Sequence, residues 1–441
     1  MKAYKIGLRH EDKSQWERRT PITPEQVRRL KAEHHIHVVV QPSPNRVFSD
    51  AEYEAAGATV QQDLSQCPVI FGLKEMPASF FEKNKTYLFF SHTIKGQHHN
   101  MPMLQRLIDL NCTLLDYEKI VDDHNRRLLF FGRFAGLAGM IDSLWALGQR
   151  LQNEGINTPF QTVGQAYHYP NLAEAEQVIA EAGKRIAAEG LPRALGPMVF
   201  GFTGYGNVSG GAQEIFNLIP HQEISPDGLE AFIASGTWDN HLCYKVVYHE
   251  EHLAAPIDKS AAFDLQDYYQ HPEKYESIFE PHLRWLTVMI NAIYWDTPYP
   301  RLATCDGLRA LFESEASPRL RLIGDITCDI DGSVEPTVRA TQPDNPVYVY
   351  DPINKTHTDG FEGRGVVILP VDNFPCELPR ESSMHFAEGL YPFIAEIAKA
   401  DYNHPLDDLG YSAPIRRCTI VHRGALTPDF TYLKKYLQDP S

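Results

Sequence analysis

Two short apolar runs separated by a dozen residues constrain this chain more than any other feature. Val69 to Leu73 (V-I-F-G-L) and Thr86 to Ser91 (T-Y-L-F-F-S) are rich in β-branched and aromatic residues and short enough to be fully buried strands. The intervening Pro77 to Lys83 has room for only a turn or a short helix, so the runs are expected to lie parallel and close together in one sheet. Ligands of open α/β sheets sit outside the carboxyl ends of the strands. The first run leads into Lys74 and the second into His92, which offers an amine and an imidazole at one sheet end. That is equipment for proton transfer near neutral pH. The plainer alternative makes Lys74 a solvated strand end and His92 a hydrogen-bonded turn residue.

Around these runs, strand and helix patterns alternate from residue 3 to about 118, with further strands at Ala3 to Leu8, Ile36 to Val40 and Thr113 to Asp116. Such alternation predicts an α/β fold with a doubly wound, mostly parallel sheet. Thr23 is the expected N-cap of a helix with Pro24 at its first position. Arg18 and Arg19 fall in the loop after the first strand, where a guanidinium can hold a carboxylate, although paired arginines also occur as surface solubilisers. D-D-H-N, residues 122 to 125, reads as a hairpin turn. A helix over Ala135 to Asn153 is expected to leave the first domain for a second.

From Pro197 the sequence P-M-V-F-G-F-T-G-Y-G-N-V-S-G-G-A-Q-E-I-F predicts strand, glycine-rich turn and amphipathic helix. Glycines there let a pyrophosphate approach the amides of a helix N-terminus. Ser209 occupies the third glycine position, so the match to G-x-G-x-x-G is incomplete. The acidic residue expected for the adenosine ribose should follow the next strand, and Glu223, Asp227 and Glu230 are equivalent candidates. Residues 236 to 280 read as an aromatic, polar insertion with little regular structure, and the H-E-E-H within them lacks a metal-binding spacing. Later strands are expected to end near Asn291 and at Asp325 to Asp329, and a helix over His385 to Ala400 to return to the first domain.

A length of 441 residues calls for more than one core. The net charge of -16 argues against nucleic-acid and anionic-membrane partners. Seven cysteines without C-x-x-C spacing are expected to be reduced thiols, with no metal bound. With no apolar run long enough to span a bilayer, a cytoplasmic protein is expected.

Taken together, W-E-R-R-T-P, G-L-K-E-M-P, F-F-S-H-T-I-K-G, D-Y-E-K-I-V-D-D, F-G-R-F-A-G, G-Y-G-N-V-S-G-G-A-Q-E-I-F, G-D-I-T-C-D-I and D-N-F-P-C-E-L-P-R-E resemble the lysine 2-oxoglutarate reductase part of bifunctional aminoadipic semialdehyde synthases. That family is related to lysine-forming saccharopine dehydrogenase and, more distantly, to alanine dehydrogenase. The resemblance implies two Rossmann-like domains facing each other across a cleft, a catalytic domain of residues 1–135 plus 380–441 and a dinucleotide-binding domain of residues 136–379. It implies reductive condensation of lysine with 2-oxoglutarate to saccharopine using NAD(P)(H), with the preference open. Related opine-type chemistry, alanine dehydrogenase-like reductive amination and a catalytically silent cofactor-binding regulator are the alternatives.

By the same resemblance Lys74 and His92 fall on the acid/base pair, tuned by Glu75 and Glu118, while Arg19, Arg127 and Phe131 contact substrate. Gly204, Gly206, Asn207, Gly210 and Gly211 would cradle the pyrophosphate, with Asp329 near the nicotinamide ribose. Asn125 and Asp331 stand where the family carries glycine. The resemblance covers one catalytic part of the bifunctional enzymes, so one reaction step is expected. The partners implied are small-molecule substrates, with a homo-oligomer possible.

Overall fold

The computed structural model describes residues 4–437. The chain divides into two units, Met1–Phe131 with Pro379–Ser441, and Gly132–Leu378.

The first unit is built on β1 (Tyr4–Leu8), α1 (Pro24–His34), β2 (Ile36–Val40), β3 (Thr59–Val60), β4 (Val69–Phe71), β5 (Thr86–Phe89), α2 (Met101–Asp109) and β6 (Thr113–Asp116). Ala3, expected to open the first strand, lies outside the described residues. β1 to β6 are parallel, with β4 between β1 and β5. The apolar runs therefore adjoin as expected, but each strand stops two residues earlier than its apolar run. Lys74 and His92 consequently stand three residues beyond Phe71 and Phe89, in loops instead of at strand ends.

α1 buries Val27 and Leu30 against this sheet, and α2 buries Leu104 and Leu107. Thr23 occupies the N-cap of α1 as expected, but its hydroxyl caps no backbone amide and donates to the Gln26 side chain. The hairpin forms at residues 122–126, with Asn125 in the left-handed conformation (φ 58°). Asparagine tolerates that region better than most residues do, which accounts for its standing where glycine is usual.

The second unit contains α3 (Gly132–Asn153), β7 (Val199–Thr203), α4 (Asn207–Phe216), β8 (His221–Glu223), β9 (Cys243–Tyr248), β10 (Ala254–Pro256), β11 (Tyr275–Ser277), β12 (Val288–Asn291), β13 (Leu322–Asp325), β14 (Tyr348–Asp351), β15 (Thr356–Asp359) and β16 (Val366–Leu369). Eight strands form a sheet in the order β15-β14-β16-β13-β12-β7-β9-β8, while β10 and β11 form a separate antiparallel pair. Only β14 and β15 break the parallel run of the larger sheet. α3 begins three residues before the expected Ala135.

The expectation of an irregular insertion at 236–280 is overturned in its first part: Cys243–Tyr248 is an interior strand paired directly with β7. Within the polar stretch around it, C-Y-K-V-V-Y carries a single charge: Tyr244 and Tyr248 are buried in an apolar cluster, and the Lys245 ammonium meets Glu223 at 3.0 Å. A strand can bury a lysine when its ammonium finds a partner, as Lys245 does in Glu223.

The chain then returns to the first unit through α5 (Pro379–Lys399), β17 (Thr419–His422) and β18 (Ala425–Leu426). α5 starts six residues before the expected His385 and buries Phe386, Leu390, Ile394 and Ile397 in the first unit's core. β17 adds antiparallel to β6 and β18 to β17, an extension of the sheet that no sequence pattern announced.

Candidate functional site

Loops leaving the carboxyl ends of β1, β4, β5 and β6 carry the charged side chains of the first unit. Glu11, Glu17 and Arg19 follow β1, Lys74 and Glu75 follow β4, His92 follows β5, and Glu118 follows β6. Burial pushes the Lys74 ammonium below its ordinary range, and the nearby Arg19 cation lowers it further against the opposing pull of Glu17 and Glu75. A lysine so placed gives up its proton more readily than one in water.

His92 adopts a left-handed backbone (φ 49°), uncommon outside glycine and asparagine. Its carbonyl accepts from Asn100 Nδ2 at 3.1 Å, and the preceding Ser91 amide donates to Asp116 at 3.0 Å. Strain of this kind persists where neighbouring bonds fix the turn. Nδ1 lies 2.6 Å from Glu75 Oε1, and Lys13 Nζ lies 2.6 Å from Glu75 Oε2. Burial pushes the Glu75 carboxyl up, but the bonds from His92 and Lys13 outweigh it and hold it down at about 2. An ionised Glu75 accepts a hydrogen bond from Nδ1–H, which orients Nε2 as the nitrogen that can exchange a proton.

Arg19 is buried, with Nε 2.8 Å from Glu17 Oε1 and Nη2 2.6 Å from Glu17 Oε2. Its guanidinium also lies over the Phe131 ring, 4.3 Å from the centroid. Despite burial, the Arg19 charge and its hydrogen bonds keep the Glu17 carboxyl below its ordinary value. Phe131 stacks on Phe386 at 4.7 Å between centroids, and Phe90 lies beside both. Glu118, expected beside the lysine and imidazole, pairs with Arg127. Arg127 is half exposed.

Three members of this unit escaped sequence reasoning as functional groups. Glu11 accepts the Leu73 and Lys74 amides at 2.7 and 3.0 Å, so it supports the backbone from which Lys74 projects. Burial, reinforced by the Glu17 charge, pushes its carboxyl up to about 7. Glu17 lies inside the quoted W-E-R-R motif but carried no assigned role, and Phe386 arrives from a helix hundreds of residues away.

The second unit offers a different kind of site. β7 is followed by Gly204, whose φ of 78° favours a residue without Cβ, and Gly206 caps α4. The first turn of that helix leaves amides without intrahelical partners and carries the positive end of the helix dipole. A Cβ on Gly206 or Gly210 would meet no heavy atom within 4 Å, so space for a phosphate exists where the turn needs it. Gly211 serves packing instead. A Cβ there would lie 2.1 Å from the Arg133 carbonyl oxygen, and one on Gly136 1.9 Å from that of Val208. These glycines let α3 and α4 touch backbone to backbone. Asp329 is exposed in the loop after β13, where Asp331 takes a left-handed φ of 55° and pairs with Arg301 at 2.9 Å.

Comparison with known proteins gives a consistent family. Residues 7–138 match the N-terminal domain of the alanine dehydrogenase/PNT family and residues 321–429 its C-terminal domain. The chain is 39% identical over 98% of its length to an alpha-aminoadipic semialdehyde synthase of Arabidopsis thaliana, of which it spans 41%. It is 27% identical over 90% of its length to a saccharopine dehydrogenase [NAD(+), L-lysine-forming] of Yarrowia lipolytica, of which it spans 93%. Among solved structures an L-alanine dehydrogenase covers 99% of the chain with a TM-score of 0.61 at 16% identity, a likeness of fold.

Proposed function

The chain belongs to the alanine dehydrogenase/PNT family, and from that premise we propose that it is a nicotinamide-dependent oxidoreductase that condenses the ε-amine of lysine with the keto carbon of 2-oxoglutarate and reduces the product to saccharopine. The observation that carries this reading is the set Lys74, Glu75 and His92: a lysine with a weakened hold on its proton, next in sequence to the glutamate that anchors an imidazole through Nδ1. Residues 1–131 with 379–441 then supply the substrate groups and residues 132–378 the dinucleotide site.

In this reading Lys74 takes a proton from the incoming ammonium, because only a neutral amine can attack the keto carbon. His92 Nε2 then takes a proton from the nitrogen of the adduct and delivers it to the carbinolamine oxygen, and the proton held by Lys74 completes the water that leaves, while Glu75 keeps the other proton on Nδ1. Arg19 acts twice, since its charge favours neutral Lys74 and, with Arg127, it draws the substrate carboxylates into an otherwise acidic protein. Phe90, Phe131 and Phe386 provide an apolar wall that keeps water from the reacting carbon. The N-terminus of α4, with Gly206 and Gly210 open, suits a pyrophosphate, and Asp329 suits a ribose hydroxyl. When bound, a reduced nicotinamide supplies the hydride that saturates the C=N carbon.

The test is nicotinamide absorbance with 2-oxoglutarate and lysine, ornithine or ammonia as donor. Rapid oxidation with lysine is expected. Turnover with ammonia alone makes the enzyme a simple reductive aminase, and no turnover with any donor sinks the proposal. No helix of the described residues is long and apolar enough to cross a membrane. All seven cysteines are free, which supports a reducing, cytoplasmic setting that cell fractionation checks.

A further inference from the structure

The strands added at the edge of the first unit's sheet deliver a late stretch of chain to the His92 loop. β17 runs antiparallel to β6 and β18 antiparallel to β17, so β18 points the same way as β6 and carries the chain back toward the sheet end from which the Lys74 and His92 loops leave. Two short helical turns follow, Pro428–Leu433 and Lys434–Leu437. Phe430 and Leu433 are buried in the first unit's core and fix this strap to it, while Tyr432 stays nearly half exposed. At the root of the strap, the Thr427 amide and hydroxyl donate to the β17 carbonyls of Ile420 and Thr419 at 3.0 and 2.7 Å.

The strap meets the His92 loop at two points. Tyr432 Oη donates to the Ile94 carbonyl at 2.6 Å, a bond between residues 338 positions apart. Two residues further on, Gly96 has a left-handed φ of 69°, and a Cβ there would lie 2.5 Å from the Tyr436 ring, so this glycine lets the loop backbone lie against that side chain. Nearer the imidazole, the loop is held by Asp116 at the Ser91 amide and by Asn100 at the His92 carbonyl. Its far half closes on itself, with the Gly96 amide donating to the Thr93 carbonyl at 2.8 Å. Tyr432 and Tyr436 therefore hold the half of the loop that Asp116 and Asn100 do not touch. Burial, aided by Tyr436 and the Glu118 carboxylate, raises the Tyr432 phenol above its ordinary value, so it keeps the proton it donates throughout the neutral range.

We propose that Tyr432 is a positioning residue for His92: by holding the Ile94 carbonyl, with Tyr436 seated against Gly96, it fixes the far side of the loop whose near side carries the imidazole. The inference rests on the proton-transfer role proposed for His92 and adds the element that keeps that side chain aimed. A non-glycine residue at φ 49° persists in that conformation only where the surrounding structure over-determines it, and the strap supplies the second flank of the turn. An imidazole held in place shortens the search for the productive geometry, so the strap acts on the rate of proton transfer more than on substrate binding.

The test compares Tyr432→Phe with the wild-type full chain in two measurements: exchange of the Gly96 amide hydrogen with solvent deuterium, and steady-state kinetics with lysine and 2-oxoglutarate. The variant keeps the ring and loses the donor. Exchange at Gly96 is expected to quicken by about threefold to tenfold, the worth of one hydrogen bond, and kcat to fall by a similar factor while the KM of each substrate moves by less than about twofold. Thr431→Ala is the control, because the Thr431 hydroxyl donates to the Pro428 carbonyl within the strap, and it should change neither quantity. Unchanged kcat in Tyr432→Phe overturns the assignment, whether or not exchange quickens, and so does a rise in KM alone. An equal effect from Thr431→Ala overturns it too, since the strap would then be a general stabiliser. A His92→Gln protein as fast as the wild type removes the proton-transfer reading itself and the inference with it, while exchange at Gly96 still shows whether the strap holds the loop.

Discussion

The two units would make the proposed sites from opposite materials. In the first, side chains dominate: a buried Arg19–Glu17 pair, a lysine beside it, and an imidazole tied to a carboxylate. In the second, the backbone dominates: a left-handed glycine, a helix N-terminus, and two glycines whose missing Cβ atoms leave open space. Groups that exchange protons need tunable acidity, which only side chains have, whereas a pyrophosphate needs fixed donors and close approach. The first site should therefore lose function without losing its fold, and the second should answer to the addition of a single methyl group.

The sharpest test of that contrast is Lys74→Met. Turnover with lysine and 2-oxoglutarate is expected to fall by about 10²- to 10⁴-fold, the worth of a proton-transfer group, with circular dichroism and NADH affinity unchanged. An equal loss of NADH affinity would break the division of labour between the units.

Next in size is the pair Gly211→Ala and Gly210→Ala. The first adds a methyl 2.1 Å from the Arg133 carbonyl oxygen and is expected to destabilise the protein by about 1–3 kcal/mol, read by denaturant unfolding. The second meets nothing within 4 Å, so stability should hold while dinucleotide affinity drops. Equal effects on stability would mean that the two glycines share one structural role.

Glu75→Gln comes third. It keeps the shape beside His92 but removes the charge that selects the tautomer, and kcat/KM is expected to fall about tenfold with stability little changed.

The smallest effect concerns pH. Glu11 has a carboxyl raised from an ordinary 4.5 to about 7, so the folded protein binds its proton more tightly than the unfolded chain does. Its contribution to stability is complete below about pH 4.5 and is lost as pH rises through about 7. Glu11→Gln should remove that slope, giving a melting temperature that falls less between pH 5 and 8 than that of the wild type.

Local patterns were legible in the sequence and distant ones were not. The parallel neighbours β4 and β5, the glycine turn and the hairpin turn at residues 122–125 all follow from a few adjacent residues. β9 was missed because Lys245 interrupts an apolar run set between polar stretches, and its partner Glu223 lies in another segment. Glu11 was missed because its meaning comes from amides more than sixty residues away, and Phe386 because its ring stacks on one at Phe131. Gly211 looked like part of a phosphate cradle because a glycine that faces a helix and one that faces a ligand are indistinguishable until the neighbour is known.

The exchanged order of β8 and β9 bears on how the second unit assembles. β8 is hydrogen-bonded to β9 alone, yet it is made first by about twenty residues. As the chain emerges from the ribosome, β7 and α4 can settle, but His221–Glu223 has nothing to fasten to until Cys243–Tyr248 has docked beside β7. The edge of this sheet is thus the last part of its corner to close, and in a stalled or truncated chain the exposed flank of β7 would be the surface that chaperones must cover.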